Sequence, residues 1–453
     1  MQSPLADRVQ VHVEDKAFFV DKDLLIEHSE YFRALFQSGM KESTQREIRI
    51  QDLSATGFLI MLKILEGSYP MLSCEENLRA VECASFLQVK AMAQYLINSI
   101  NSDNCILLYQ AAAMFGLLDL FHSAALYIRD SYADLEEYLD CLSPEHLDYI
   151  ESLIPSTFVA VGAHTPTFEF LEDLSRTICY LDEEKNVWRT LSCLPLTAST
   201  FLAGMTMTDN KIYIVGGVYG YNKQIVDQSF CYDATSDTWS EFSSPQQLRY
   251  DITLTAHGDY LYAIGGEFEK TPLQSVEKFS ISTNSWSFIS DLPQPAAAAP
   301  CAQAMGRIFV CLWKPLDMTI IYEYEPQKDE WLPVSTLNRP QSYGHCMVAH
   351  RDNLYIMRNG PFDDFLRCVM DCFNLTTKQW TSLPGQYMNS KGALFTAVIK
   401  GDMVYTVNKM LTLLYTIDEN TWKFKKEKAG FPRSGSLQTF LLRLPRTDHS
   451  IST

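Results

Sequence analysis

Along the second half of the chain, short apolar stretches alternate with polar turns. DNKIYIVGG (209–217) and GDYLYAIGG (258–266) set apolar residues at every second position and end on a glycine pair. A period of two predicts half-buried β-strands, and Gly-Gly permits a backbone approach that side chains would block. The first third is patterned differently. VQVHV and AFFV, within residues 9–50, read as strands, whereas LLIEHSEYFRALF places Leu24, Leu25, His28, Phe32, Leu35 and Phe36 on one face of a single predicted helix, with His28 a satisfied core residue. After EIRIQDL, residues 56–65, 76–88 and 89–100 read as short amphipathic helices. Residues 101–156 continue in helical periodicity, with Ser102 or Asp103 as the expected cap.

Tryptophan marks the period of the strand-rich half. Trp188, Trp239, Trp286, Trp331, Trp380 and Trp422 are separated by 51, 47, 45, 49 and 42 residues. Tyr232, Phe279, Tyr324, Phe373 and Tyr415 each stand seven residues before one of them, and Tyr180 stands eight before Trp188. Four short strands fit each period. One such sheet cannot bury both its faces alone, so the units must pack on one another, and closing them into a ring removes the open edges. SLQTFLLRLP (436–445) reads as an orphan strand, while the first unit begins at TFVAVG (157–162) one strand short. Pairing the two closes an all-β, six-bladed propeller.

Length and charge narrow the function. At 453 residues, 47% hydrophobic and 20% charged, the chain is expected to fold into two or three cores. Its net charge is -18, and residues 1–156 hold 11 Lys and Arg against 24 Asp and Glu. Such acidity disfavours nucleic acid, which needs a basic footprint. The sign reverses from Lys400 onward, where Lys423, Lys425, Lys426 and Lys428 cluster. MQSPLADRVQ carries no signal pattern, and no apolar run approaches the ~18 residues of a membrane span, so a cytoplasmic chain is expected. Twelve cysteines without a CxxC pair fit reduced side chains. Cys368 and Cys372, four apart, lack a partner pair, and neither metal nor cofactor is expected. No phosphate loop, nucleophile elbow or paired carboxylates with a positioned base are found. His345 and Cys346, adjacent on a strand, point to opposite faces, so the chain reads as no enzyme.

The repeated Gly-Gly, Tyr and Trp grammar resembles the kelch repeat, although the glycine slot holds Cys311-Leu312, Asn359-Gly360 or Val407-Asn408 in other blades. The order of strand, hairpin, helix, SEYFRALFQSGMKES, strand and helices resembles the BTB domain, a dimerising module. Residues 101–156 resemble the opening helices of the BACK region. The chain is therefore read as multidomain: an α/β BTB domain over 5–100, a truncated all-α BACK segment over 101–156, a kelch propeller over 157–445 and a flexible tail over 446–453. Members of this family that recruit the cullin 3 ubiquitin-ligase scaffold carry an apolar residue, any residue, then Glu after the BTB helix. The matching positions are Met40, Lys41 and Glu42, with Met40 desolvated by the partner and Glu42 adding a directional hydrogen bond. Leu65 departs from the family, replacing a tyrosine that contacts the cullin. Arg8 and Asp21 also depart, as an exchange of signs that would restore a pair. The swapped N-terminal strand of many such dimers is expected to be short or absent.

The resemblance implies a non-catalytic adaptor of a cullin 3 ligase, a BTB homodimer whose propeller binds a substrate protein. Partner contacts are expected from loops leading into each blade (Thr200, Arg249, Tyr250, Tyr343, His345, Lys391, Arg433) and loops after each second strand (Tyr221, Glu267, Trp313, Phe362, Lys409). Trp313 stands out as the tryptophan outside the repeat. The alternative is an actin-filament-binding protein of the cytoskeleton, as in muscle, using the basic cluster at 423–428.

Overall fold

The computed structural model describes residues 8–38, 45–164, 175–219, 223–314, 318–338, 346–359, 367–383, 387–388, 396–407, 411–426 and 429–445. The chain divides into two compact units, Met1–Leu153 and Ile154–Thr453. The expected tail over 446–453 lies outside the described residues.

In the first unit β1 (Arg8–Val13), β2 (Lys16–Asp21) and β3 (Glu47–Ile50) form a sheet in the order β2-β1-β3, with β1 antiparallel to β2 and parallel to β3. Val9, Val11 and Val13 alternate into the core, where Phe32, Phe58 and Met61 meet them. The segment expected as one helix is two, α1 (Lys22–His28) and α2 (Glu30–Gln37). Ser29 separates them. Its backbone is extended (φ -125°, ψ 120°), and its buried hydroxyl accepts from the Phe32 amide at 3.2 Å while donating to the Leu87 carbonyl at 2.6 Å. A side chain that satisfies both ends turns a continuous apolar stripe into two helices on one core. Leu25, Phe32 and Phe36 are buried there, Leu24 and Leu35 partly so, and His28 is half-buried at the end of α1.

Arg8 and Asp21 stand opposite each other across β1 and β2, yet no ion pair joins them. Asp21 accepts from the Asp23 amide at 2.9 Å and caps α1, which corrects the expected pair. Then come α3 (Ala55–Leu65), α4 (Cys74–Phe86) and α5 (Lys90–Asn98); Ser73 and Glu76 form a reciprocal capping box on α4. Helices α6 (Cys105–Phe115), α7 (Leu118–Asp130), α8 (Tyr132–Leu135) and α9 (Pro144–Ser152) complete the unit. The N-cap position of α6 is Asn104 rather than Ser102 or Asp103, and its side chain bonds upstream of the helix rather than capping it. Its amide accepts from Asn101 N at 2.8 Å and donates to Ser99 O at 2.9 Å. Between α6, α7 and α9, Tyr109 stacks on Phe121 (4.5 Å) and Phe121 on Tyr149 (5.1 Å). No described helix is long and apolar enough to cross a membrane.

Among the described residues the second unit has six antiparallel blade sheets and two short two-stranded ones, Val218–Tyr219 with Gln224–Ile225 and Glu267–Phe268 with Thr271–Pro272. Blade one joins Ser434–Leu442, Thr157–His164, Ser175–Asp182 and Val187–Cys193 in that order, so the last strand of the chain is the innermost strand of the first blade. Blades two to six follow at 204–242, 253–289, 301–338, 346–388 and 396–426. Hydrogen bonds between innermost strands and the loops beside them run around the ring. Ser436 N donates to Thr200 O, Asp251 N to Leu202 O and Ala298 N to Asp251 O, while Thr396 and Thr439 hydroxyls lie 3.2 Å apart across blades six and one.

The tryptophan period has a direct structural cause. Tyr232 and Trp239, Phe279 and Trp286, Tyr324 and Trp331, Phe373 and Trp380, Tyr415 and Trp422 are cross-strand partners on the two outer strands, with ring centroids 5.0 or 5.1 Å apart. In blade one Leu181, not Tyr180, stands opposite Trp188. Tyr180 faces Arg189, and Trp188 packs on Phe431 at 5.1 Å instead. The apparent slip by one is thus a misread slot: Leu181 holds the seven-residue spacing.

The indole N–H groups tie the blades together. Trp239 Nε1 donates to Ser192 Oγ (3.0 Å), Trp286 to Ser243 O (2.6 Å), Trp331 to Ser290 O (3.0 Å) and Trp380 to Ser335 Oγ (2.9 Å). Each acceptor serine lies four residues after the previous blade's tryptophan. In blade five that slot is Pro384, and Trp422 Nε1 is buried with no acceptor among the described residues.

Candidate partner-binding site

Antiparallel order puts the loop leading into each blade and the loop after its second strand at the same end of the sheet. Two short bridges hold these loops together, Phe201 with Val218 and Tyr250 with Glu267. The Gly216-Gly217 turn makes this approach possible. Gly217 has φ +94°, and a Cβ there would lie 2.8 Å from Phe201 O.

Several expected contact residues are not on this surface. Thr200 is wholly buried, with its carbonyl taken by Ser436 N. The side chain of Arg249 is fully enclosed, donating to Gly265 O (2.8 Å), Ser275 O (2.9 Å) and Glu277 Oε1 (2.7 Å). Glu277 in turn accepts from the Gln246 and Gln247 amides. Burial pushes the Arg249 guanidinium below its usual value, with the Glu277 charge opposing. Arg249 is therefore a strut inside blade three, which corrects its expected role. Tyr250 is buried, its hydroxyl accepting from Lys270 N at 3.0 Å, and Glu267 is half-buried.

The exposed positions lie one residue away. Phe201 (36%) follows Thr200, and Leu248 (42%) precedes Arg249. At Thr200 and Arg249 the sequence reading named the inward-facing residue of its loop, because neighbouring extended residues point oppositely and no pattern in a loop says which is outside. Leu196 (87%) and Tyr219 (48%) extend the apolar surface. Arg176 locks it: its guanidinium donates to the Ala198 carbonyl and to Leu196 O (2.7 Å), and lies 5.2 Å from the Tyr219 ring centroid. With both terminal nitrogens committed to carbonyls, Arg176 stiffens the patch.

Trp313 is exposed (37%), and its carbonyl accepts from Gln294 Nε2 at 2.7 Å; Arg433 is exposed as well. Tyr221, Tyr343, His345, Phe362, Lys391 and Lys409 lie outside the described residues, as do Met40, Lys41 and Glu42. Leu65 is half-buried at the end of α3, against the first unit's core. Lys423 and Lys425 are exposed on the outer strand of blade six. Lys428 and the side chain of Lys426 lie outside the described residues. Among the described residues no group of His, Cys, Asp and Glu is placed to hold a metal ion.

The BTB/POZ domain pattern matches residues 5–104, and the kelch motif matches 200–246 and 248–293. The chain is 58% identical over 438 residues to human "Kelch repeat and BTB domain-containing protein 13", covering 96% of this chain and 95% of that protein, and equally identical to the mouse protein of that name. This chain belongs to the BTB-kelch family. Mouse "Kelch-like protein 42" is 26% identical over 463 residues, covering 92% of each chain. The kelch motif matches only the two blades that keep the glycine pair, Gly216-Gly217 and Gly265-Gly266. Blades four to six keep the aromatic–tryptophan partners and lose the glycine pair, and blade one sets Leu181 opposite Trp188.

Proposed function

We propose that this BTB-kelch chain is a substrate-recognition adaptor of a cullin 3 ubiquitin ligase. Members of the family typically serve as non-catalytic adaptors, with the BTB domain engaging the cullin and the propeller engaging the substrate. In this reading the BTB domain dimerises and docks the scaffold through Met40, Lys41 and Glu42, with Leu65 nearby, in the cytoplasm. The propeller grips a substrate protein through Phe201, Tyr219, Leu248, Trp313 and Arg433. The chain makes and breaks no bond; it raises the effective concentration of substrate near the transferred ubiquitin.

The observation that carries the reading is the rigid apolar patch on the propeller's loop face, joined in one chain to a BTB domain. An exposed cluster of aromatic and aliphatic side chains around a pinned arginine has the composition of an interface anchor. Affinity capture from cells tests both halves. Met40→Ala with Glu42→Ala should lose the cullin and keep other partners, and Trp313→Ala should do the reverse. Cullin capture unchanged in the double variant would refute the docking.

A second reading is favoured by Lys423 and Lys425, exposed on one strand of an otherwise acidic chain. In it the propeller binds actin filaments, which are acidic. Co-sedimentation that weakens with salt and disappears when Lys423, Lys425, Lys426 and Lys428 are neutralised would support it. Salt-independent co-sedimentation would count against it.

A further inference from the structure

The outer strand of blade six, Thr421–Lys426, is last in its sheet and pairs with Leu411–Thr416 alone, as the other outer strands pair on one side, but its side chains differ from theirs. Lys423 and Lys425 are exposed on it, with Leu414 and Thr412 as their cross-strand partners, so no acid faces them in the register. The other outer strands carry no lysine, and their single arginine, Arg189, is held by Asp182 at 2.8 Å. Phe424, between the two lysines, is 56% exposed. The neighbouring blade five carries Trp380–Ser382 and Tyr387–Met388 along its outer edge, and Trp422 Nε1 is buried with no acceptor among the described residues.

We infer that the outer edge of blade six binds an extended acidic segment of a partner protein by strand addition, with Lys423 and Lys425 meeting its carboxylates. Edge lysines commonly serve only to repel other edges. Here that explanation is insufficient, because five equally open outer strands in the same molecule do without them. Main-chain groups of the open edge supply affinity in such a mode, and alternate side chains supply selectivity. In a chain of net charge -18, two exposed lysines at alternate positions, without an ion-pair partner among the described residues, make this strand a local attractor for acid.

Fluorescence anisotropy on the full chain tests this with a labelled peptide alternating glutamate and valine. The parent peptide should bind, and its glutamine counterpart should bind much more weakly. Lys423→Glu with Lys425→Glu should weaken the acidic peptide by ~10-fold or more, since both contacts change sign. N-methylation of every second amide should weaken it by a similar factor, roughly the loss of 1.4 kcal/mol per tenfold. Equal binding of parent and N-methylated peptides, no effect of the lysine reversal, or tighter binding of a single-stranded oligonucleotide would overturn the inference. Filament binding without peptide binding would overturn it too, while leaving the filament reading intact.

Discussion

Arg249 Nη2 lies 2.7 Å from Glu277 Oε1 inside blade three, with both side chains sealed from solvent. Six further contacts complete the group: three carbonyls and the Ser275 hydroxyl around the guanidinium, and two amides on the carboxylate. Satisfaction of nearly every donor and acceptor is what allows two charges to stay buried. Glu277→Gln should therefore cost ~3–5 kcal/mol of stability, the range for a buried charge stripped of its partner. Replacing both residues, as Arg249→Met with Glu277→Leu, should cost less than the single change. Urea unfolding of the three chains checks this, and a more stable Glu277→Gln single variant would show that the pair is not coupled.

Trp286 and Trp422 occupy equivalent slots but differ in one hydrogen bond. Trp286→Phe removes the 2.6 Å bond to Ser243 O, whereas Trp422→Phe removes a donor that has no acceptor among the described residues. The first should lower stability by about 1 kcal/mol more than the second, the size of one ordinary hydrogen bond plus part of its desolvation. Thermal melts of the two variants measure the difference.

Gly217→Ala should be destabilising by ~1–3 kcal/mol, because φ is +94° and the new Cβ would lie 2.8 Å from Phe201 O. The same change at Gly67, also at positive φ but with nothing within 4 Å, should cost less. Comparing their melting temperatures separates backbone strain alone from strain with collision.

Two histidines predict a pH dependence. Burial pushes His164 below its ordinary 6.5, and burial also lowers His257, opposed by its hydrogen bond with Gln303. In the unfolded chain both take up protons near pH 6.5, before they do in the native state. Stability is thus fully present above about 6.5 and falls as pH drops below it, until the lowered native values are passed. Melting temperatures at pH 7.5 and 5.5 should differ less in His164→Asn with His257→Asn than in the parent chain. An identical difference would exclude these two groups.

Trp313→Ala should leave stability within about 0.5 kcal/mol, as for other exposed substitutions, while weakening substrate capture. Thr200 and Arg249 should behave oppositely, because substitution there loosens the blades. Capture assays paired with melts distinguish a contact residue from a strut.

The repeat was legible because its cause is local. An aromatic seven residues before a tryptophan is a hairpin whose two outer strands pair those rings, so spacing along the chain reports contact across it. The blade-to-blade serine, four residues after Trp188, Trp239, Trp286 and Trp331, is equally visible in the sequence but carries no local signal of its role. Its meaning emerges only when the next blade's indole arrives beside it. The two kelch blades that keep Gly-Gly could be read individually, whereas Cys311-Leu312 or Val407-Asn408 could be placed only by counting periods.

The sequence by itself determined the alternation of strands, the six-fold tryptophan period and the helical first third, since these follow from side-chain periodicity within a few residues. Tertiary structure decided the rest: that Ser29 splits a helix, because Leu87 comes to accept its hydroxyl; that Leu181 rather than Tyr180 faces Trp188; and that Arg249 turns inward while Leu248 turns out. Each of these depends on a partner far along the chain, and no short-range pattern encodes which partner folding will deliver.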